Sequence, residues 1–187
     1  MTAQDEFACR VRECTDRLAA MGVDALGVLF DLTGQRLVRF AAALTRHQQD
    51  AEDAVQAALT RLAGQPQRLK GLARPWSYML RMVRNEVLAN VRRQQHQRAA
   101  GSLADLVTLC PVDEAEREES HRAVWAALRT LPSDQAEVVV LKIWEEMTFA
   151  EIGEVLELSP HTAASRYQYA MTKLTARLHR HREALHD

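Results

Sequence analysis

The sequence predicts an all-α protein made of two small helical domains joined by an acidic linker. Aromatic residues make up only 5% of the 187 residues, and glycines (7) and prolines (5) are few, a balance that favours helix. Apolar residues recur at helical spacing over 25–98 and 122–180, and no stretch shows the alternation of a strand. The segment 99–121 is rich in acids and lacks sustained periodicity, so we interpret it as the linker.

The first domain is predicted to contain three helices. They span 25–44, 50–62 and about 75–97. The apolar side of the third helix consists of Trp76, Met79, Leu80, Val83, Val87, Leu88 and Val91. A loop is expected after the second helix, because Gly64, Pro66 and Gly71 follow it. Residues 1–24 are predicted to be an extension with a mixed-charge helix, and they indicate no particular task.

The second domain has the pattern of a helix-turn-helix, followed by a short tail at 181–187. Thr148 and Glu151 form a capping box, in which each side chain satisfies a free backbone N–H at the start of a helix. Ser159 is a second N-cap, and Pro160 occupies the first helical position. The apolar stripe of the shorter helix is Phe149, Ile152, Val155 and Leu156. A short helix, a tight turn and a longer polar helix can place the second helix in a DNA major groove.

The net charge of −1 hides two segments of opposite sign. The basic segment contains Arg68, Lys70, Arg74, Arg81, Arg84, Arg92, Arg93 and Arg98, with Glu86 as its one acid. The acidic segment contains Asp105, Asp113, Glu114, Glu116, Glu118 and Glu119, against Arg117. A concentrated basic helix is typical of a nucleic-acid surface, even in a chain that is neutral on balance.

Other function classes find little support in the sequence. No apolar run approaches the roughly 18 residues of a membrane span, and Asp5 and Glu6 precede any apolar stretch, so we expect a cytoplasmic protein without membrane insertion. The cysteines are Cys9, Cys14 and Cys110, and they have no metal-site spacing. His179, His181 and His186 are better explained as a solvated tail than as metal ligands. We expect no enzyme, cofactor, metal or small-molecule substrate, since no Gly-rich phosphate loop or nucleophile–base arrangement is present.

Three sequence runs resemble a known family. The D-A-E-D-A-V-Q run at 50–56 and the P-W-S-Y-M-L-R-M-V-R-N run at 75–85 resemble region two of sigma-70 factors, the promoter-melting domain. The L-P-S-D-Q-A-E-V run at 131–138 and the helix-turn-helix resemble region four. Their order and spacing are similar to the extracytoplasmic-function (ECF) group. The resemblance implies a factor that binds core RNA polymerase, recognises both promoter elements and helps melt promoter DNA, with an anti-sigma protein as a further partner.

The resemblance also implies roles for individual residues. The surface for core polymerase would be Asp50, Glu52, Asp53 and Gln56, which without the family we would interpret as a solvated helix start. The promoter element just upstream of the start would be bound by Arg68, Lys70, Arg74, Tyr78, Arg81, Arg84, Asn85, Arg92 and Arg93. The distal promoter element would be bound by Ser159, His161, Thr162, Ala164, Ser165, Arg166, Gln168, Tyr169 and Lys173. By its apolar spacing, Trp76 is expected to belong to the core.

The recognition helix departs from the family pattern and leaves rival interpretations open. Many ECF factors carry Lys or Arg where this chain has Ala164 and Tyr169, and losing a bidentate guanine contact removes about 1–3 kcal/mol of base discrimination. One rival is a sigma mimic that captures an anti-sigma protein, and another is a helix-turn-helix regulator that binds duplex DNA alone. The acidic linker could also cover the basic helix in the free protein.

Overall fold

The structure is a computed structural model that describes residues 3–98 and 124–184, with side chains described over 4–93 and 124–178. Within these ranges every regular element is helical. The chain divides into two compact units, Met1–Thr108 and Leu109–Asp187. The predicted linker at 99–121, with the whole acidic segment, lies outside the described residues.

The first unit contains four α-helices. They are α1 (Ala3–Met21), α2 (Leu26–Thr45), α3 (Gln48–Gly64) and α4 (Pro75–Arg98), with 3₁₀ turns at Gly22–Ala25 and Pro66–Leu69. The three helices predicted for this domain are confirmed to within two residues at each end. Helices α2, α3 and α4 pack on one another around Leu37, Phe40 and Leu80, all fully buried. One core prediction is wrong, because Val91 is exposed. The side chains on the last described turn of α4 are less buried than those on the turns before it.

Helix α1 is an integral part of the first unit. Val11 and Leu18 are fully buried, and the helix packs on α2, on the 3₁₀ turn after α3, and on α4. Segment 1–24, predicted as an extension, therefore contributes to the core of this unit. The reason is a narrow apolar stripe spaced seven residues apart, which the mixed charges around it obscure in the sequence.

The second unit contains α5, described over 124–128, followed by α6 (Ser133–Ile143), α7 (Phe149–Leu156) and α8 (Pro160–Ala184). Its core joins α5, α6 and α8, with Leu128, Val139 and Leu174 among the buried side chains. The rings of Trp125 and Trp144 lie at the edge of this cluster, 5.8 Å apart.

Both predicted caps of the helix-turn-helix are confirmed. The Glu151 amide donates to the Thr148 hydroxyl (3.3 Å), and the Thr148 amide donates to the Glu151 carboxylate (2.8 Å). The Thr162 amide donates to the Ser159 hydroxyl at the start of α8 (3.0 Å). These bonds fix the residue at which each of the two helices starts.

The turn between α7 and α8 requires a glycine inside α7. A Cβ atom on Gly153 would lie 2.6 Å from the carbonyl oxygen of Leu158, a backbone atom that cannot rotate away. The Leu158 amide donates to the Gly153 carbonyl (3.0 Å), which holds the two segments together. The close approach of helix and turn therefore depends on the missing side chain.

Gly153→Ala is expected to destabilise the second unit by about 1–3 kcal/mol, the usual cost of forcing extra volume into a packed site. The matched control is Gly27→Ala in α2, where an added Cβ meets no atom within 4 Å. That control should be neutral or slightly stabilising, since alanine favours helix over glycine. Urea unfolding followed by circular dichroism measures both, and equal midpoints for the two variants would contradict the role given to Gly153.

Candidate nucleic-acid interface

One face of α4 carries four of the residues predicted to bind promoter DNA. They are Tyr78, Arg81, Asn85 and Arg92. With about 3.6 residues per turn they fall within an arc of roughly 60°, opposite the buried stripe, and the face runs about 16 Å from Arg81 to Arg92. Asn85 and Arg92 are exposed, and the Arg81 guanidinium carbon lies 5.7 Å from the centroid of the Tyr78 ring. This face combines cations, an amide and an aromatic ring, the groups that bind phosphates and unstacked bases.

Two further arginines flank this face of α4. Arg84 is half-buried and Arg93 is exposed, and they lie about 90° to either side of its centre. They extend the positive charge around the helix, where they can reach phosphates on either side of a bound strand. Both residues therefore fit the predicted set, although neither lies on the central face.

The one acid within the basic segment does not lie on this face of α4. The Glu86 side chain is only 8% exposed, and its carboxylate pairs with the Arg61 guanidinium of α3 at 2.7 Å. The acid therefore holds α3 against α4 instead of neutralising the exposed arginines. The sequence shows Glu86 among cations, but it gives no sign that its partner lies 25 residues earlier.

The loop between α3 and α4 exposes three predicted cations. Arg68, Lys70 and Arg74 are all exposed, while Leu69 between them is buried and anchors the loop. Gly71 has a φ of 73°, a left-handed conformation that glycine adopts without strain. The loop therefore directs its cations outward around a buried leucine.

Trp76 is confirmed as a core residue. It is 5% exposed, and Phe7 of α1 packs edge-on against it with ring centroids 5.1 Å apart. The Arg36 guanidinium lies 3.7 Å from the Phe7 centroid and 5.6 Å from that of Trp76. A ring covered in this way is not available for base stacking, which leaves the half-buried Tyr78 as the aromatic residue on the exposed face of α4.

The predicted polymerase surface lies on α3, on the side away from its core. Asp53 and Gln56 are exposed near the middle of this side, with the exposed Glu52 and half-buried Asp50 at its edges. Glu52 accepts a hydrogen bond from the Gln48 amide group. Asp53 and Gln56 also line an open, shallow groove with Ala57, Thr60 and Arg61. Ala57 and Thr60 were not among the predicted residues, although their spacing of four and seven residues from Asp53 places them on the same side.

The predicted recognition residues line the outer side of α8. Ala163, Ala170 and Leu174 are buried and form the inner side. The outer side spans an arc of about 200°. It carries exposed Ser159, His161, Thr162, Gln168, Tyr169 and Lys173 and half-buried Ala164, Ser165 and Arg166. Tyr169 is 67% exposed, so its ring is accessible on this side of α8.

The two cations predicted to reach phosphates from α8 both contact α6. Arg166 lies 3.5 Å from the Asp134 carboxylate and 3.7 Å from that of Glu137, whose side chain is 3% exposed. The Lys173 ammonium donates to the Gln135 side chain at 3.0 Å. In this structure these cations link α8 to α6.

The described residues contain neither a candidate metal site nor a candidate membrane-spanning helix. No group of three His, Cys, Asp or Glu side chains there could hold a metal ion. No helix in the same ranges is long and apolar enough to cross a membrane. The histidines His179, His181 and His186, together with Cys110, lie outside the described side chains.

Two family patterns match this chain. Residues 29–97 match Sigma-70 region 2, and residues 121–174 match Sigma-70, region 4. Among similar proteins, the RNA polymerase sigma-E factor of Streptomyces coelicolor is 29% identical over 147 residues, 76% of this chain and 79% of the relative. The RNA polymerase sigma factor CarQ of Myxococcus xanthus is 29% identical over 152 residues, 81% of this chain and 87% of the relative.

Solved structures show the same fold. The sigma factor RpoE in complex with the anti-sigma factor NepR from Bartonella quintana has a TM-score of 0.72 and 21% identity, covering 83% of this chain and 98% of that one. CnrH in complex with the cytosolic domain of CnrY has a TM-score of 0.61 and 21% identity, covering 89% and 96%. At this identity the two structures establish the architecture alone.

Proposed function

The chain belongs to the sigma-70 family, in the ECF group, and from that premise we propose that it binds core RNA polymerase in the cytoplasm and directs it to promoters. Regions two and four bind the near and distal promoter elements, and region two helps melt the DNA. The observation that carries the proposal is the cationic, aromatic face of α4, inside the segment that matches region two. The protein is a transcription regulator, and its residues supply binding and positioning.

Each surface has a distinct task in this proposal. The acidic side of α3, centred on Asp53 and Gln56, meets a basic patch of the polymerase. The loop cations and the α4 face hold phosphates and capture unstacked bases of the opened strand. The outer side of α8 enters the groove of the distal element, where Gln168 can pair with adenine and Tyr169 can make apolar contacts.

An anti-sigma protein is a further proposed partner. One solved neighbour is a sigma factor in complex with the anti-sigma factor NepR, and another, CnrH, is in complex with the cytosolic domain of CnrY. Capture of this chain by an anti-sigma protein would keep it from polymerase until a signal releases it. The sigma-mimic alternative makes capture the whole function, and only a transcription assay separates the two.

Run-off transcription on genomic fragments, with core polymerase and with or without this protein, tests the proposal. Discrete transcripts that depend on the protein are expected, and their start sites give the promoter sequence. Co-elution with core polymerase but no transcripts would contradict initiation and favour the mimic. Salt-sensitive binding to a palindromic duplex without polymerase would favour an autonomous regulator.

A further inference from the structure

We propose that α1 braces the promoter-binding loop and that Arg12 is a positioning residue for the near promoter element. The inference rests on the proposed function, since the loop matters only if it binds DNA. It assigns a task to the segment 1–24, for which the sequence indicates none.

Helix α1 contacts the loop near both of its ends. The Gln67 side-chain amide donates to the Ala19 carbonyl at 2.8 Å, before the first loop cation. The Arg12 guanidinium donates to the Ala73 carbonyl at 2.6 Å, next to the last loop cation, Arg74. Arg12 and Ala73 are 61 positions apart in sequence, so the bond ties two distant segments together. The stretch that carries Arg68 and Lys70 is thus held between two hydrogen bonds from one helix.

A third contact fixes the start of α4, directly after the loop. Phe7 of α1 packs on the buried Trp76, and the Arg36 side chain links Phe7 to Trp76 and donates to Gln4 of α1 at 3.0 Å. Ring packing on a buried indole is strong and directional. Helix α1 therefore contacts the loop at its start and at its end, and it also contacts the first turn of α4.

The contacts with α1 fix the backbone conformation in which the loop exposes its cations. Gly71 turns with a left-handed backbone, and the exposed cations of the loop surround a single buried leucine, Leu69. A loop of this composition would otherwise sample many conformations, and ordering it on binding would cost affinity. Pre-ordering by α1 lowers that cost for DNA and leaves the α3 surface for polymerase unaffected.

Arg12→Ala is expected to weaken binding of the near element about three- to tenfold, the range for loss of one hydrogen bond. The probe is a single-stranded oligonucleotide carrying the promoter sequence obtained from the run-off starts, bound by the holoenzyme of core polymerase and this chain. Arg12→Lys keeps a cationic donor and should recover most of the affinity. The matched control is Arg10→Ala, which removes an exposed cation from the same helix. It should bind as the wild type does.

Hydrogen exchange on the free chain gives a second readout. Amides of 67–74 should exchange faster in the Arg12→Ala variant than in Arg10→Ala, while affinity for core polymerase stays the same in both. Equal strand affinity in the two alanine variants, or equal loop exchange, would overturn the brace. A parallel loss of core affinity in Arg12→Ala would also overturn it, by showing a general structural role.

The two proposals can fail separately. If the wild-type holoenzyme makes no transcripts and binds no promoter strand, the proposed function is contradicted, and loop exchange still decides whether α1 braces the loop. If the wild type is active and Arg12→Ala matches Arg10→Ala in every assay, the sigma function stands and the brace is rejected.

Discussion

Replacing Arg81, Arg84, Arg92 and Arg93 together by alanine is expected to abolish promoter opening while leaving affinity for core polymerase unchanged. The physical reason is that melted DNA presents closely spaced phosphates, and these four cations surround the outward side of α4. The one acid within the basic segment, Glu86, is buried and pairs with Arg61. The proposed polymerase surface lies on α3, and none of the four arginines belongs to it.

The measurement is binding of holoenzyme to a fork-shaped promoter fragment over a series of salt concentrations, alongside open-complex detection by permanganate reactivity. Loss of four single-strand phosphate contacts should lower the slope of log affinity against log salt by about 3. A smaller test replaces only Arg81 and Arg92, on the central face, with the control pair Arg10 and Arg17 on α1 for equal charge loss. Open complexes at wild-type levels in the fourfold variant would refute the role given to α4.

Local signals in the sequence predicted local structure well. The cap of α7 depends on Thr148 and Glu151, three residues apart, and the cap of α8 on Ser159 and Thr162. Such bonds need only the residue types and the spacing, because the backbone geometry of a helix start is always the same. For the same reason, the start of α4 at Pro75 could be predicted from the sequence.

Contacts between distant segments could not be predicted. The bond from Arg12 to Ala73 depends on how α1 lies across the fold, and an arginine in a mixed-charge helix gives no hint of it. The surface charge of the second unit could not be predicted from the number of charged residues either, because Glu137 and Glu145 are buried. Two acids of this unit are therefore inside, so its surface carries fewer acids than the sequence alone shows.

The candidate site was predictable in outline for a related reason. Apolar spacing fixed the inner side of α4, and the residues opposite that side had to be exposed. The resemblance to region two then gave those exposed residues a role. Glu86 is buried because it pairs with Arg61 on another helix. Helical spacing within α4 does not show which residues of other helices lie nearby, so this burial could not be predicted.

Arg166→Met is expected to destabilise the second unit by about 1–3 kcal/mol, because it removes a charged partner of the buried Glu137. Glu137 is 3% exposed and would remain buried without this cation, whereas Arg166 is 32% exposed and can be partly solvated. The cost should therefore be larger for removing Arg166 than for removing Glu137. Urea unfolding, with hydrogen exchange of peptides from α6 to α8 in the full chain, measures the loss.

The double variant Glu137→Met with Arg166→Met decides between two roles for this arginine. If Arg166 holds α8 against α6, the double variant should recover most of the stability, since apolar residues of similar volume can replace a buried pair. Arg177→Met on the same helix, an exposed cation, is the control and should stay within about 0.5 kcal/mol of the wild type. Unchanged stability in Arg166→Met, combined with weaker binding to the distal element, would instead make Arg166 a phosphate contact, because a residue that only meets DNA contributes nothing to the free chain.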